Sequence, residues 1–285
     1  MNAVVKTLLL GAVSLAALAT AAQAADIIDQ PIYEQAPEMV PVEIGSGWYL
    51  RGDVSYDFES DLDGGYRTFG SNCFNCEPFY ETQEYDGFKI EQNANFGVGA
   101  GYQFSEFLRG DLTAHYWTSD VSGTDTGGFG IDCYGNALST SSCVSKDKTK
   151  MTAWELMANA YVDLGTYGGF TPYVGAGVGG VHIKYDTLTN EAFNVYNGQT
   201  GGLAYTATHP GMEGWRFAYA LMAGASYDLT SALKLDIGYR YVNVDEGDMF
   251  GFDKSTAAAG ASGVQGWDKG FDRHTIQAGL RYSLF

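Results

Sequence analysis

A chain of 285 residues with 38 Gly, 20 Tyr, 16 Phe, only 6 Pro and 18% charged residues has the make-up of a β-rich folded protein, not of a disordered one. Its formal charge of −18 and pI near 4.4 leave no basic stripe to neutralise phosphates, which excludes nucleic acid as a partner.

The first 24 residues stand apart. Lys6 precedes an apolar run from Leu8 to Ala19, and Ala22-Gln23-Ala24 has the small-x-small form of a signal-peptidase site, so 1–24 reads as a signal peptide. The run is short for a helix that must span ~30 Å. Removing this leader, which holds one Lys and no acid, takes the formal charge from −18 to −19. No later stretch has the 18 or so consecutive apolar residues of a membrane helix, so entry into a bilayer would require a closed barrel. Residues 25–46, with Pro31, Pro37, Pro41 and several acids, read as an extended lead-in and not as a domain.

Eight strand candidates follow, each with apolar residues on one parity and polar residues on the other. In Gly47–Phe58, Trp48, Leu50, Val54, Tyr56 and Phe58 oppose Tyr49, Arg51, Asp53, Ser55 and Asp57. Phe88–Phe104 sets Ile90, Ala94, Phe96 and Val98 against Lys89, Glu91, Asn93 and Asn95. Phe107–Thr118 sets Leu108, Leu112 and Tyr116 against Arg109, Asp111 and His115, and Met151–Leu164 sets Trp154, Leu156 and Val162 against Glu155, Asn159 and Asp163. In Pro172–Tyr185 the apolar parity switches after Val178, from which we expect a bulge at Gly179-Gly180 that keeps Val181, Ile183 and Tyr185 outward and turns His182 and Lys184 inward. Trp215–Leu229 places Arg216, Met222 and Asp228 on the polar side, and Leu233–Val244 places Lys234, Asp236 and Arg240 there. The last, Phe271–Phe285, opposes Ile276, Ala278, Leu280, Tyr282 and Leu284 to Arg273, Thr275, Gln277, Gly279 and Arg281.

Connections alternate as regularly as side chains. Segments two and three, four and five, and six and seven are joined by a few residues, whereas the other four connections run to roughly 25 to 30. Short turns at one end and long loops at the other are the pattern of an outer-membrane barrel. The expected fold is all-β: an eight-stranded antiparallel transmembrane β-barrel over 47–285, with short periplasmic turns, four long extracellular loops and a periplasmic extension over 25–46. A soluble barrel would invert the faces and leave Gly, Ala and aromatics to fill the interior.

The inward parity then carries a charge network that includes Arg51, Asp53, Lys89, Glu91, Arg109, Asp111, Glu155, Arg216, Asp236, Arg240 and Arg281. Partnered charges in an eight-stranded lumen read first as a plug, since an isolated buried charge costs several kcal/mol. Inward glycines such as Gly97, Gly99, Gly101, Gly224, Gly238 and Gly279 would leave space for a narrow conduction path. Four cysteines in an exported chain read as two disulfides, for which the sequence favours Cys73 with Cys76 and Cys133 with Cys143, each stapling its own loop. Glu59-Ser60-Asp61-Leu62-Asp63-Gly64 imitates the start of a calcium loop but has Gly70 at the twelfth position, so it reads as a solvated acidic loop. His115, His182, His209 and His274 show no spacing that singles out a catalytic set. No catalytic, cofactor-binding or metal-binding residues are expected.

GWYLRGDVSY at 47–56, FGVGAGYQF at 96–104, TPYVGAGVGGVHI at 171–183 and AGLRYSLF at 278–285 resemble the opacity-protein-like surface barrels of Gram-negative bacteria, particularly the small porin-family outer-membrane antigens of alphaproteobacteria. The resemblance implies a bacterial outer-membrane location and a structural or surface role in envelope integrity or adhesion, with a small diffusion channel as the alternative. The expected partners are outer-membrane lipid and lipopolysaccharide, the assembly machinery, and host or envelope surface ligands met by the aromatic, acidic loops, on a monomer or weak oligomer. It also implies that Phe285, which falls off the lipid-facing parity, is an assembly signal, while Leu284 closes the apolar face. Deletion of Phe285 is expected to slow membrane insertion, timed by gel mobility shift, more than it lowers the unfolding free energy of the finished barrel; equal losses would refute that role.

Overall fold

The computed structural model describes residues 47–70, 79–127, 130, 132–134, 136, 138 and 140–284. The expected signal peptide, the 25–46 extension, Cys73, Cys76 and Phe285 lie outside the described residues. In chain order the strands are β1 Trp48–Asp57, β2 Ser60–Leu62, β3 Gly64–Gly70, β4 Phe79–Glu84, β5 Phe88–Ile90, β6 Asn93–Gln103, β7 Leu108–Thr126 and β8 Ser141–Asp163. There follow β9 Phe170–Tyr185, β10 Leu188–Tyr196, β11 Gln199–His209, β12 Glu213–Asp228, β13 Leu233–Val244, β14 Gly247–Gly251, β15 Val264–Asp268 and β16 Phe271–Ser283. A single helical turn, α1 Lys254–Ala258, sits between β14 and β15.

Backbone pairing runs antiparallel through β1, β6, β7, β8, β9, β12, β13 and β16, and β16 pairs with β1 again. The remaining strands belong to the long connections. β2 and β5 pair with each other beside the end of β7, β10 and β11 extend the sheet from β8, and β14, β15, β3 and β4 form a separate four-stranded sheet. The opposite end is closed by tight turns. Ser105 Oγ accepts from the Phe107 and Leu108 amides at 3.3 and 3.1 Å, and Thr230 Oγ1 accepts from Ala232 and Leu233 at 3.2 and 3.0 Å, the same side-chain device in both turns. Between β8 and β9 the turn instead uses positive φ at Gly165, Gly168 and Gly169.

β8 is 23 residues long, more than twice the ~10 that a tilted strand needs to cross hydrocarbon, so the wall continues well beyond any bilayer. This extension inverts the burial logic. Near the tight turns, Leu50, Val98, Leu112, Leu156 and Val178 stand on the outer surface and the interior is charged. Toward the long connections, Leu62, Phe88, Val121, Met151, Val244 and Phe250 are buried in one apolar cluster, as in a water-soluble barrel.

The expected bulge at Gly179-Gly180 is absent. β9 keeps an unbroken register with both β8 and β12, and Val181, Ile183 and Tyr185 point inward with at most 2% of their surface exposed. The apolar residues change parity because the outside changes from lipid to water along the strand. His182 and Lys184 accordingly face outward, His182 edge-on to Trp215 at 5.3 Å. Ile183→Ala is expected to lower stability by about 2 kcal/mol or more in urea unfolding, the cost of a cavity in a packed interior, whereas a bulged, outward Ile183 would lose far less.

Candidate functional site

The interior is built from inward residues two apart on adjacent strands, so each layer gathers side chains from several strands. Near the tight-turn end, Arg51 on β1 makes a two-pronged bond to Asp53 at 2.9 and 2.8 Å and reaches Asp111 on β7 at 2.9 Å and the Tyr161 hydroxyl on β8 at 3.0 Å. Asn159 and the Tyr49 hydroxyl also donate to Asp111, at 2.8 and 3.1 Å. Beside them Arg109 bonds Asp163 at 3.1 Å through Nε. Its two terminal nitrogens have no hydrogen-bond acceptor, and the guanidinium carbon lies over the rings of Tyr161 and Tyr173, 4.0 and 4.8 Å from the centroids. Arg281 pairs with Asp236 at 3.2 Å, and both contact Ser226.

One layer further in, Glu155 is fully buried between two guanidiniums. Arg240 donates to one of its oxygens and Arg273 to the other at 3.0 Å; Arg273 also donates to Asp57. Asp57 accepts in addition from Thr275 at 2.6 Å and Asn95 at 2.9 Å, and the Arg273 guanidinium rests 3.6 Å from the centroid of the Trp117 ring. Above this, within the apolar cluster, Arg216 grips Asp268 with 2.8 and 2.7 Å bonds while the Tyr185 hydroxyl donates to the same carboxylate at 3.3 Å. Every one of the six buried arginines among the described residues is ion-paired.

The inward glycines do not hold a path open. A Cβ on Gly101 would strike the Tyr49 ring, one on Gly97 the His115 ring, and one on Gly224 or Gly238 the Tyr173 hydroxyl at 2.6 Å. At these four glycines the space is taken by a ring from β1, β7 or β9.

Of the charged residues placed inward from the sequence, Arg51, Asp53, Arg109, Asp111, Glu155, Arg216, Asp236, Arg240 and Arg281 are buried in the interior. Two are elsewhere. Lys89 on β5 is an exposed side chain bonded to Glu59 at 2.5 Å, because Phe88 and Ile90 turn inward and the strand breaks before β6 starts at Asn93. Glu91, in that break, accepts from Ser119 through its carbonyl and from Ser122 through its carboxylate at 2.9 Å, near the end of β7. Sequence reasoning missed Asp268, whose only signal is an acid in a loop, and the ring platform of Trp117, Tyr161 and Tyr173, which the inward parity of β7, β8 and β9 could have flagged. Cys133 and Cys143 form a disulfide that closes the β7–β8 connection.

Glu155→Gln removes the one anion between Arg240 and Arg273 and is expected to cost about 3 kcal/mol in urea unfolding, the penalty for orphaning a buried charge. Lys89→Gln, on an exposed pair, is expected to leave the unfolding midpoint unchanged.

An uncharacterized protein of Brucella suis is 40% identical over 282 residues, covering 93% of each chain, and a Rickettsia felis protein named as a candidate adhesin is 29% identical, covering 85% of this chain and 90% of its own. Among solved structures, Neisserial surface protein A covers 84% of this chain and 97% of its own at 15% identity and a TM-score of 0.41. The profile of the outer membrane protein beta-barrel domain matches residues 8–283, and the chain belongs to that family, an all-β barrel of the bacterial outer membrane.

Proposed function

We propose that this protein is a surface anchor: a closed eight-stranded barrel, inserted by the outer-membrane assembly machinery through a signal that includes Phe285, that displays its four long connections outside the cell for contact with lipopolysaccharide, other envelope parts or a host surface. It acts without catalysis and as a monomer or weak oligomer. The observation that carries this reading is the filled interior. Ion-paired arginine layers and the apolar cluster above them leave the wall nothing to conduct, so its value lies in rigidity. The name of the Rickettsia felis relative is consistent with a role in adhesion.

Described parts of the displayed connections are held by local hydrogen bonds, as an adhesive surface needs them to be. Asp132 accepts from the Tyr134 and Asn136 amides at 2.9 and 2.8 Å inside the disulfide-closed connection. Asp253 caps α1, bonding Ser255 and Thr256; burial works to raise its pKa, but these hydrogen bonds win and hold it well below the usual carboxylate range.

Purified protein refolded into planar bilayers is expected to give no reproducible unit conductance. On intact cells, an antibody raised to the Cys133–Cys143 connection is expected to bind, and deletion of the gene to reduce attachment to the surfaces the cell colonises. A steady single-channel step would overturn the anchor in favour of a small diffusion channel, and a connection reachable only after outer-membrane disruption would overturn the display.

A further inference from the structure

Among the described residues nearly every buried carboxylate has a guanidinium; Asp147 does not. Only 3% of its surface is exposed, yet it has no ion pair and receives neutral donors alone, Ser145 Oγ at 2.8 Å and Asn190 Nδ2 at 2.6 Å. The other buried carboxylate without a cation, Asp132, is saturated by the three N–H groups of its own turn. Burial, with Asp125 nearby adding to it, pushes the Asp147 carboxyl upward. An unneutralised buried carboxylate is costly unless something cationic completes it.

Asp147 lines a cavity of about 370 Å³ at the long-connection end, between the β7–β8–β10–β11 sheet on one side and β3, α1 and β15 on the other. The rest of the lining shares its character. Asp125 supplies a second carboxylate. Gln265 on β15 is 9% exposed, and its side-chain oxygen is buried with no donor; the Nδ1 of His209 is likewise unpartnered. Tyr66 and Tyr85 stack at 5.3 Å to form one wall and Tyr205 stands in another. Arg67 also borders the space, but its guanidinium bonds the Val264 carbonyl and lies over the Tyr80 and Phe252 rings. A cavity of acceptors and aromatic faces lacks a partner made of donors and positive charge.

We infer that this cavity is a binding site for a small organic cation, an alkyl diamine or polyamine or the ammonium or guanidinium group of a basic side chain, held by Asp147 and Asp125, by the Gln265 carbonyl and by the tyrosine rings. Each element of the lining meets one need of such a ligand: carboxylates for the charge, an amide oxygen for a further N–H, and ring faces for the desolvated methylenes and the cation. A bare metal ion fits less well, since no three His, Cys, Asp or Glu residues among those described converge as ligands. The inference draws on the proposed anchor role only for the side of the membrane that the cavity faces.

The test is calorimetric titration of the full protein, refolded in detergent free of lipopolysaccharide, with cadaverine and with spermidine. Saturable one-to-one heat is expected, with none from 1,5-pentanediol, the neutral analogue of cadaverine. Asp147→Asn is expected to weaken binding at least tenfold. Tyr205→Ala, which truncates a half-exposed wall residue and leaves the interior intact, is expected to weaken it about threefold or more. Folding of each variant is checked by its gel mobility shift, and Tyr205→Ala decides the matter should Asp147→Asn fail to fold. Absence of saturable heat, affinity unchanged in the variants, equal binding of the diol, or calcium binding in place of the amines would each overturn the site. Because micelles have no outside, these results stand apart from the antibody experiment on cells.

Discussion

Charges inside a barrel cannot reach water, and that constraint organises most of this structure. Arginine cannot shed its proton, so each inward guanidinium must meet a carboxylate or a ring face on another strand. The pairs therefore tie distant parts of the chain: Arg51 on β1 holds Asp111 on β7, Arg240 on β13 holds Glu155 on β8, and Arg273 on β16 holds both Glu155 and Asp57 on β1. Such pairs add little net stability over a well-packed apolar interior, but a strand that slipped in register by one residue would carry its charges to the lipid face. Their contribution is to specify the register.

The same constraint explains the glycines and aromatics of the interior. A guanidinium whose nitrogens outnumber its acceptors needs a ring, which is how Arg109 is completed by Tyr161 and Tyr173. Rings of that size fit only where the wall beside them has no side chain, so Gly224 and Gly238 lie against Tyr173 and Gly101 against Tyr49. Arginine, aromatic ring and glycine form one packing unit, which fills the lumen where these residues meet.

Much of this was legible in the alternation of the strands. The lipid-facing and inward sides of β1, β7, β12 and β16 follow directly from parity, as does the contrast between tight turns and long connections. Reading failed where a single physical assumption failed, that the outside of the barrel is lipid along the whole strand. Val181, Ile183 and Tyr185 on β9 and Phe88 and Ile90 on β5 are apolar and inward because at their height the outside is water. An apolar phase switch in mid-strand thus has two readings, a bulge or a change of solvent, and the unbroken register of β9 selects the second. The partner of Arg216 was illegible for another reason: Asp268 comes from a connection, and a single sequence does not reveal how a connection folds back.

The solvent change also explains why the unpaired carboxylate is found where it is. Within the lipid-surrounded section an unneutralised acid would have no route to any cation, and each buried carboxylate there has its arginine. Asp147 lies on the extension of β8, where the wall is lined by β10 and faces a space open to the long connections, so a cation from outside can reach it. The water-facing end of the barrel can hold an unfilled electrostatic need that the membrane section cannot. A binding site, if the fold is to have one, belongs at that end, and the residues that would form it come from β3, β7, β8, β10, β11 and β15 together. Its geometry thus depends on the rigid wall below, whose charge pairs set the register of β7 and β8 on which Asp125 and Asp147 are carried.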